Sequence, residues 1–193
     1  MSKPIGFIGI GQMGRPMVER LAGAGHAVLV HDRRTEALAP LSAVPGVTAA
    51  ASAALLAQSC EAIILMLPDS PIVDALLWND GFAASLPRGS LLIDMGSSNP
   101  NATRANQAKL TAMGIALVDA PVSGGVRRAV DGSLAIMVGG ASGDVERALP
   151  LLRVVVGLPA GGLGITLGGL LALGRFPQHF VPQLNVTFVA YPT

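Results

Sequence analysis

The sequence predicts an α/β fold, a doubly wound and mostly parallel sheet with helices on both faces. Three observations carry this. Short apolar runs alternate with helical patterns over roughly the first 150 residues, the order expected of βαβ units. The first run, residues 5–10, leads straight into a turn with glycine at positions 9, 11 and 14, and then into a helix-like segment. An acid, Asp32, closes the second run. With 193 residues and an apolar fraction of 51%, one domain of ordinary size, with or without an appendage, has ample material for a core.

Residues 5–10 and 27–31 are apolar runs suited to buried parallel strands. Between them Met17, Val18 and Leu21 recur at helical spacing, and Gly23 and Gly25 sit where that helix would stop. A weak strand is expected at 47–49, and further strands at 62–67, 91–94, 115–119 and 134–138, with helices between. Ser70 before Pro71 reads as an N-cap followed by an N1 proline, and Asn99 before Pro100 repeats the device. Gly114 suits the position just past the helix that begins near Pro100. Ser142, with Asp144 in the first turn, starts a last helix running to about Leu152.

The glycine turn has a chemistry of its own. Gly9 allows a tight exit from the strand, Gly11 lets backbone approach a pyrophosphate, and Gly14 lets helix and strand pack closely. The N–H groups opening the helix then face the phosphates, where the helix dipole favours negative charge. In a chain with 24 glycines such spacing arises by chance about 0.4 times, so the strand–turn–helix–strand–acid context carries the evidence for a dinucleotide site. Asp32 is placed to take the ribose hydroxyls, which favours NAD by repelling a 2′-phosphate; the bland alternative is a turn residue opening Asp32-Arg33-Arg34-Thr35. Arg33 and Arg34 argue the other way, since guanidinium groups here can hold that phosphate. NAD is the expected cofactor and NADP the alternative.

Ligands of such a sheet bind beyond the carboxyl ends of its strands. Three loops there stand out: Met66-Leu67-Pro68-Asp69, Asp94-Met95-Gly96-Ser97-Ser98-Asn99-Pro100, and Asp119-Ala-Pro-Val-Ser-Gly-Gly125. Each is also an ordinary set of turn formers. Together they can offer N–H groups and hydroxyls to a nicotinamide and a small anionic substrate, and Ser123 followed by two glycines suits a carboxylate nest.

Composition removes other classes. A formal charge of +1 with scattered arginines gives no footing for nucleic acid. Cys60 is the single cysteine, so neither an internal disulfide nor a cysteine-based zinc cage is possible, no metal site is expected, and the thiol reads as inert and packed. With no secretory signal visible, the cytoplasm is the default compartment.

Taken in order, F-I-G-I-G-Q-M-G-R-P-M, M-L-P-D-S, I-D-M-G-S-S-N-P and D-A-P-V-S-G-G-x-x-x-A-x-x-G-S-L-x-x-M-V-G-G resemble the β-hydroxyacid dehydrogenases over about residues 3–152. This is the 3-hydroxyisobutyrate dehydrogenase and tartronate semialdehyde reductase group, related to 6-phosphogluconate dehydrogenase through its NAD(P)-binding domain. The resemblance implies a Rossmann-type domain and NAD(P)-dependent interconversion of a small 3-hydroxy acid and its aldehyde or keto form. It implies that Gly9, Gly11, Gln12, Met13 and Gly14 hold the pyrophosphate and that Asp32 and Arg33 face the adenosine ribose. By the same resemblance Leu67, Pro68 and Ser97 lie by the nicotinamide, and Ser123, Gly124 and Gly125 hold the substrate carboxylate. Arg128 stands where many members have glycine, which looks more like the tartronate semialdehyde branch, and Gly96 stands where serine is frequent.

The family pattern continues into a helix with a catalytic lysine in K-x-x-N-[NQ] and an all-helical domain that builds the dimer. Here the corresponding stretch reads Gly168-Gly-Leu-Leu-Ala-Leu-Gly-Arg175, and no lysine follows Lys109, so no catalytic residue is assigned. Arg175 does not release its proton near neutrality, and His179 lacks the family's context. All acids lie at or before Glu146, and Val154 begins 21 uncharged residues. The expectation is therefore a dinucleotide-binding domain over 1–153 and an atypical Gly/Leu/Pro-rich tail over 154–193, truncated or translated out of frame, with the helical domain absent. On that expectation the alternative function is an inactive dinucleotide-binding domain, and the family's homo-oligomer is not expected. Glycine at one residue in three, with Pro159, argues against a membrane span in the tail.

Overall fold

A computed structural model describes residues 3–157, so the readings made on the tail past Gly157, including Arg175 and His179, lie outside the described residues. Six parallel strands form the main sheet: β1 (Ile5–Ile8), β2 (Val28–His31), β3 (Val47–Ala49), β4 (Ala62–Leu65), β5 (Leu91–Asp94) and β6 (Ala116–Asp119). Their spatial order is β3-β2-β1-β4-β5-β6. Ile5 pairs with Val28, Ile8 with Leu65, and Asp94 with Asp119. The chain winds outward from β1 to β3 and then returns to the other side of β1 with β4. The order reverses between β1 and β4, and connections leaving those two carboxyl ends in opposite senses open a crevice there.

Helices α1 (Gly14–Gly23), α6 (Gly125–Asp131) and α7 (Ser142–Val155) cover one face, and α2 (Ala53–Ser59), α3 (Ser70–Asp74), α4 (Phe82–Ser85) and α5 (Pro100–Ala112) the other. Alternate strand residues feed the two cores. Phe7, Val30 and Ile93 pack with Met17, Leu21 and Leu152, while Ile63, Leu65 and Leu92 pack with Leu77 and Phe82. Each such side chain contributes on the order of 1.5–3 kcal/mol when fully buried. Arg20 of α1 reaches across to the last turn of α6, donating to the carbonyls of Ala129 and Val130 that the helix leaves unpaired.

α3 runs on as a π-helical turn, Ala75–Asn79. Trp78 Nε1 donates to Asn106 Oδ1 at 2.8 Å, and Asn106 Nδ2 donates to Asp74 Oδ1 at 2.7 Å. Both bonds tie the widened turn to α5. Cys60, at the end of α2, is buried, and burial pushes its thiol up to about 11.

The structure departs from the sequence reading in four places. β1 and β4 stop at Ile8 and Leu65, because the last residues of each apolar run turn into loops. Residues 134–138 do not join the main sheet. Ala135–Ile136 (β8) pairs antiparallel with Val122–Ser123 (β7), and Gly139 bridges antiparallel to Asp119. The seven-residue α6 joins β7 to β8 as a hairpin, so the segment pairs with the stretch just before that helix instead of extending the main sheet. The N-cap of α3 is Asp69, whose Oδ1 accepts from Ile72 N at 3.0 Å; Ser70 lies inside the helix. Finally, α7 passes Leu152 to Val155, and Val155 and Val156 join the core. Among the described residues no helix is long and apolar enough to cross a membrane.

Candidate functional site

The turn between β1 and α1 is built on backbone crowding. Gly9 has φ +101°, and a Cβ there would strike the carbonyl of Met66. A Cβ on Gly14 would strike the carbonyl of Gly9, whereas one on Gly11 would meet nothing within 4 Å. Two glycines are thus demanded by the protein's own packing, and the third leaves open space over the loop. α1 opens without a side-chain cap and with no acid in its first turn. Arg15 N donates back to the Gly11 carbonyl at 3.1 Å, and the positive end of the dipole has no acidic side chain against it from the helix's first turn, which suits an anion.

Asp32 is buried at the end of β2. Its Oδ2 accepts from Ile10 N at 2.7 Å, and its Oδ1 accepts from Arg34 N at 2.9 Å with Arg34 Nε at 3.6 Å. The carboxylate thus braces the glycine turn against the end of β2, while the residue still borders the cleft. That cleft has a volume of about 850 Å³, within the range of small-molecule sites. Gly9, Gly11, Asp32, Arg33 and Arg34 line one side, and Met66, Leu67 and Pro68 lie at the end of β4. Ser52, Ile72, Ala75, Leu76 and Asp80 complete the wall.

The structure therefore gathers Gly9, Gly11, Asp32, Arg33, Leu67 and Pro68 around one space. Gln12 is exposed, Met13 is half-buried against the core and Gly14 is buried; none of the three borders it. Ser97 is exposed on the β5–α5 loop, outside the cleft lining. Ser123, Gly124 and Gly125 are exposed two strands from β4, with φ +131° at Gly124 and +68° at Gly125. Sequence reasoning missed the wall formed by Ser52 and the α3 side chains. Its signal was present in Ile72, Val73, Leu76 and Leu77, whose helical spacing turns one flank of the helix toward the β4 end.

The β5 and β6 ends carry two acids side by side. Asp94 is 3% exposed, and its Oδ1 accepts from Gly96 N at 3.0 Å and its Oδ2 from Ser98 Oγ at 2.8 Å. Burial raises its carboxyl above the usual range, against the pull of those bonds. Burial and the adjacent Asp94 push Asp119 up to about 6. The β5–α5 loop is also tied to α3, since Asn99 N donates to Ser70 Oγ at 2.7 Å.

Comparison with known proteins places this geometry. The family model for the NAD-binding domain of 6-phosphogluconate dehydrogenase matches residues 4–158. An NAD-dependent L-serine dehydrogenase of Pseudomonas aeruginosa is 39% identical over 154 residues, covering 79% of this chain and 51% of the relative. A 3-sulfolactaldehyde reductase of Escherichia coli is 37% identical over 164 residues, covering 83% of this chain and 55% of the relative. The solved structure of Mycobacterium tuberculosis 3-hydroxyisobutyrate dehydrogenase with L-serine superimposes with a TM-score of 0.76 at 34% identity, over 82% of this chain and 53% of that one. The chain spans about half the length of the curated relatives it matches.

Proposed function

The chain belongs to the β-hydroxyacid dehydrogenase family, through the NAD-binding domain characteristic of 6-phosphogluconate dehydrogenase, and from that footing we propose that its cleft holds NAD for the interconversion of a small 3-hydroxy acid and its aldehyde or keto form. The observation that carries the reading is the crowded glycine turn facing a cleft bordered by Asp32, Leu67 and Pro68. Bound there, NAD supplies the ring carbon that accepts or returns a hydride.

The chain's own residues bind and orient. In this reading the N–H groups from Gly11 to Gly14 hold the pyrophosphate, with Gln12 and Met13 flanking it, and the open space over Gly11 admits it. Asp32 takes the ribose hydroxyls with the lone pairs its backbone partners leave free, and Arg33 lies over the adenosine side. Leu67 and Pro68 exclude water at the nicotinamide end, and Ser97 offers its hydroxyl from the neighbouring loop. Ser123, Gly124 and Gly125 present hydroxyl and N–H groups to the substrate carboxylate. The relatives named for L-serine and 3-sulfolactaldehyde support a small substrate with an acidic group near a hydroxyl or aldehyde carbon. The finer choice falls on the 3-hydroxyisobutyrate or tartronate semialdehyde class.

Calorimetric titration with NADH and NADPH, followed by ultraviolet assay of NAD reduction with hydroxy acids, tests this. NADH should bind more tightly than NADPH, and Asp32→Ala should weaken NADH about tenfold, the loss of charge-assisted hydrogen bonds. No saturable binding of either dinucleotide would overturn the reading. Binding without any hydroxy-acid oxidation would overturn its catalytic part.

A further inference from the structure

The loops along the carboxyl edge of the sheet touch through their backbones. Gly9 lies against the Met66 carbonyl, and a Cβ on Gly96 would lie 2.5 Å from the Leu67 carbonyl oxygen. The β4 loop is thus sandwiched between the β1 and β5 loops. Contact alone permits sliding; hydrogen bonds remove that freedom. The Asp94 carboxylate spends both oxygens on its own loop, on Gly96 N and Ser98 Oγ, which folds residues 94–98 into one turn. Asn99 N then donates to Ser70 Oγ, 29 positions away in the chain. Asn99 caps α5 and Asp69 caps α3, so this bond pins the starts of two helices to each other.

We propose that Asp94 and Ser70 are positioning residues that weld the β4 and β5 loops into a single wall at the hydride end of the cleft. The proposal rests on the reading that the nicotinamide lies by Leu67, Pro68 and Ser97. Neither Asp94 nor Ser70 borders the cleft, so both act through those three residues. Behind the wall Ser70, Asp94, Ser98 and Thr103 surround a hollow of about 10 Å³, room for at most one water. The wall is backed by packed protein, and displacing either loop moves the other.

The test compares two ligands on the whole chain. NADH reaches both ends of the cleft, whereas ADP-ribose lacks the nicotinamide and engages only the glycine turn and Asp32. Ser70→Ala removes the bond from Asn99 N that pins the β5 loop to the start of α3; it should weaken NADH about fivefold and leave ADP-ribose within about twofold. Gly96→Ala, which presses on the Leu67 carbonyl without removing a hydrogen bond, should give the same split. In both variants amide exchange at Leu67 and Asp69 should rise together with that at Gly96, Ser98 and Asn99, and stay unchanged at Gly11 and Gly14. Equal weakening of both ligands, or faster exchange in one loop alone, would overturn the proposal. If the unaltered chain binds neither ligand, the NAD reading fails, and the exchange pattern still decides whether the two loops form one unit.

Discussion

Replacing Asp119 with asparagine should make the protein more stable, and only above acid pH. Asp119 ends β6 directly beside Asp94 at the end of β5, and no ion pair with a Lys or Arg engages either carboxylate among the described residues. Burial, then repulsion from Asp94, lifts its carboxyl from 3.8 to about 6. At about 1.4 kcal/mol per tenfold change in proton affinity, that difference has a ceiling of roughly 3 kcal/mol. Asp119 keeps some contact with solvent, and screening reduces the figure to about 1–2 kcal/mol. The folded chain binds this proton more tightly than the unfolded chain, so the group costs nothing when both are protonated. Stability then falls as pH rises from 3.8 through about 6, and the loss persists above. Urea unfolding of wild type and Asp119→Asn should therefore coincide near about pH 4 and diverge by about 1–2 kcal/mol near pH 7.5, with the variant more stable. A difference that stays constant, or that shrinks as pH rises, would refute the reasoning.

Two further substitutions probe the frame of the cleft. Gly14→Ala drives a methyl group into the Gly9 carbonyl and should cost about 1–3 kcal/mol in urea unfolding, with loss of NADH binding in titration. Asn106→Ala strands the indole N–H of Trp78 and the carboxylate of Asp74; it should cost about 2–3 kcal/mol and shift the emission of Trp78, the chain's single tryptophan.

Features legible in the sequence were those whose causes are local. The glycine turn, the Asn99-Pro100 helix start and Gly114 just past the end of α5 depend on a few adjacent residues, and the structure places each as read. Residues 134–138 have a strand's composition, but composition does not reveal which partner a strand takes. Here the partner is Val122–Ser123, the segment just before α6, instead of the free edge of β6. Ser70 looks like a cap by type, yet Asp69 reaches the Ile72 N–H and frees the serine hydroxyl for Asn99. The Trp78–Asn106–Asp74 network and the Asp94–Asp119 pair were hidden for another reason. Their members lie 25 to 32 positions apart, and they meet only once helix packing and strand register are set. For the site, the same division holds. The spacing of Gly9 and Gly11 beside the cleft was readable, while the wall from Ser52 and α3 arises from how α2 and α3 pack beside β4.

The buried thiol at the end of α2 gives the chain a built-in reporter of local opening. Cys60 is the sole cysteine, and with its proton held up to about 11, roughly one molecule in ten thousand carries the thiolate at pH 7. Even that fraction is sealed beneath α2 and α4. A maleimide or an aromatic disulfide must wait for this layer to lift from β4 before it can react. The labelling rate therefore reports how much of the time this layer stands open, and it should fall when ligand fills the cleft that the start of α2 lines.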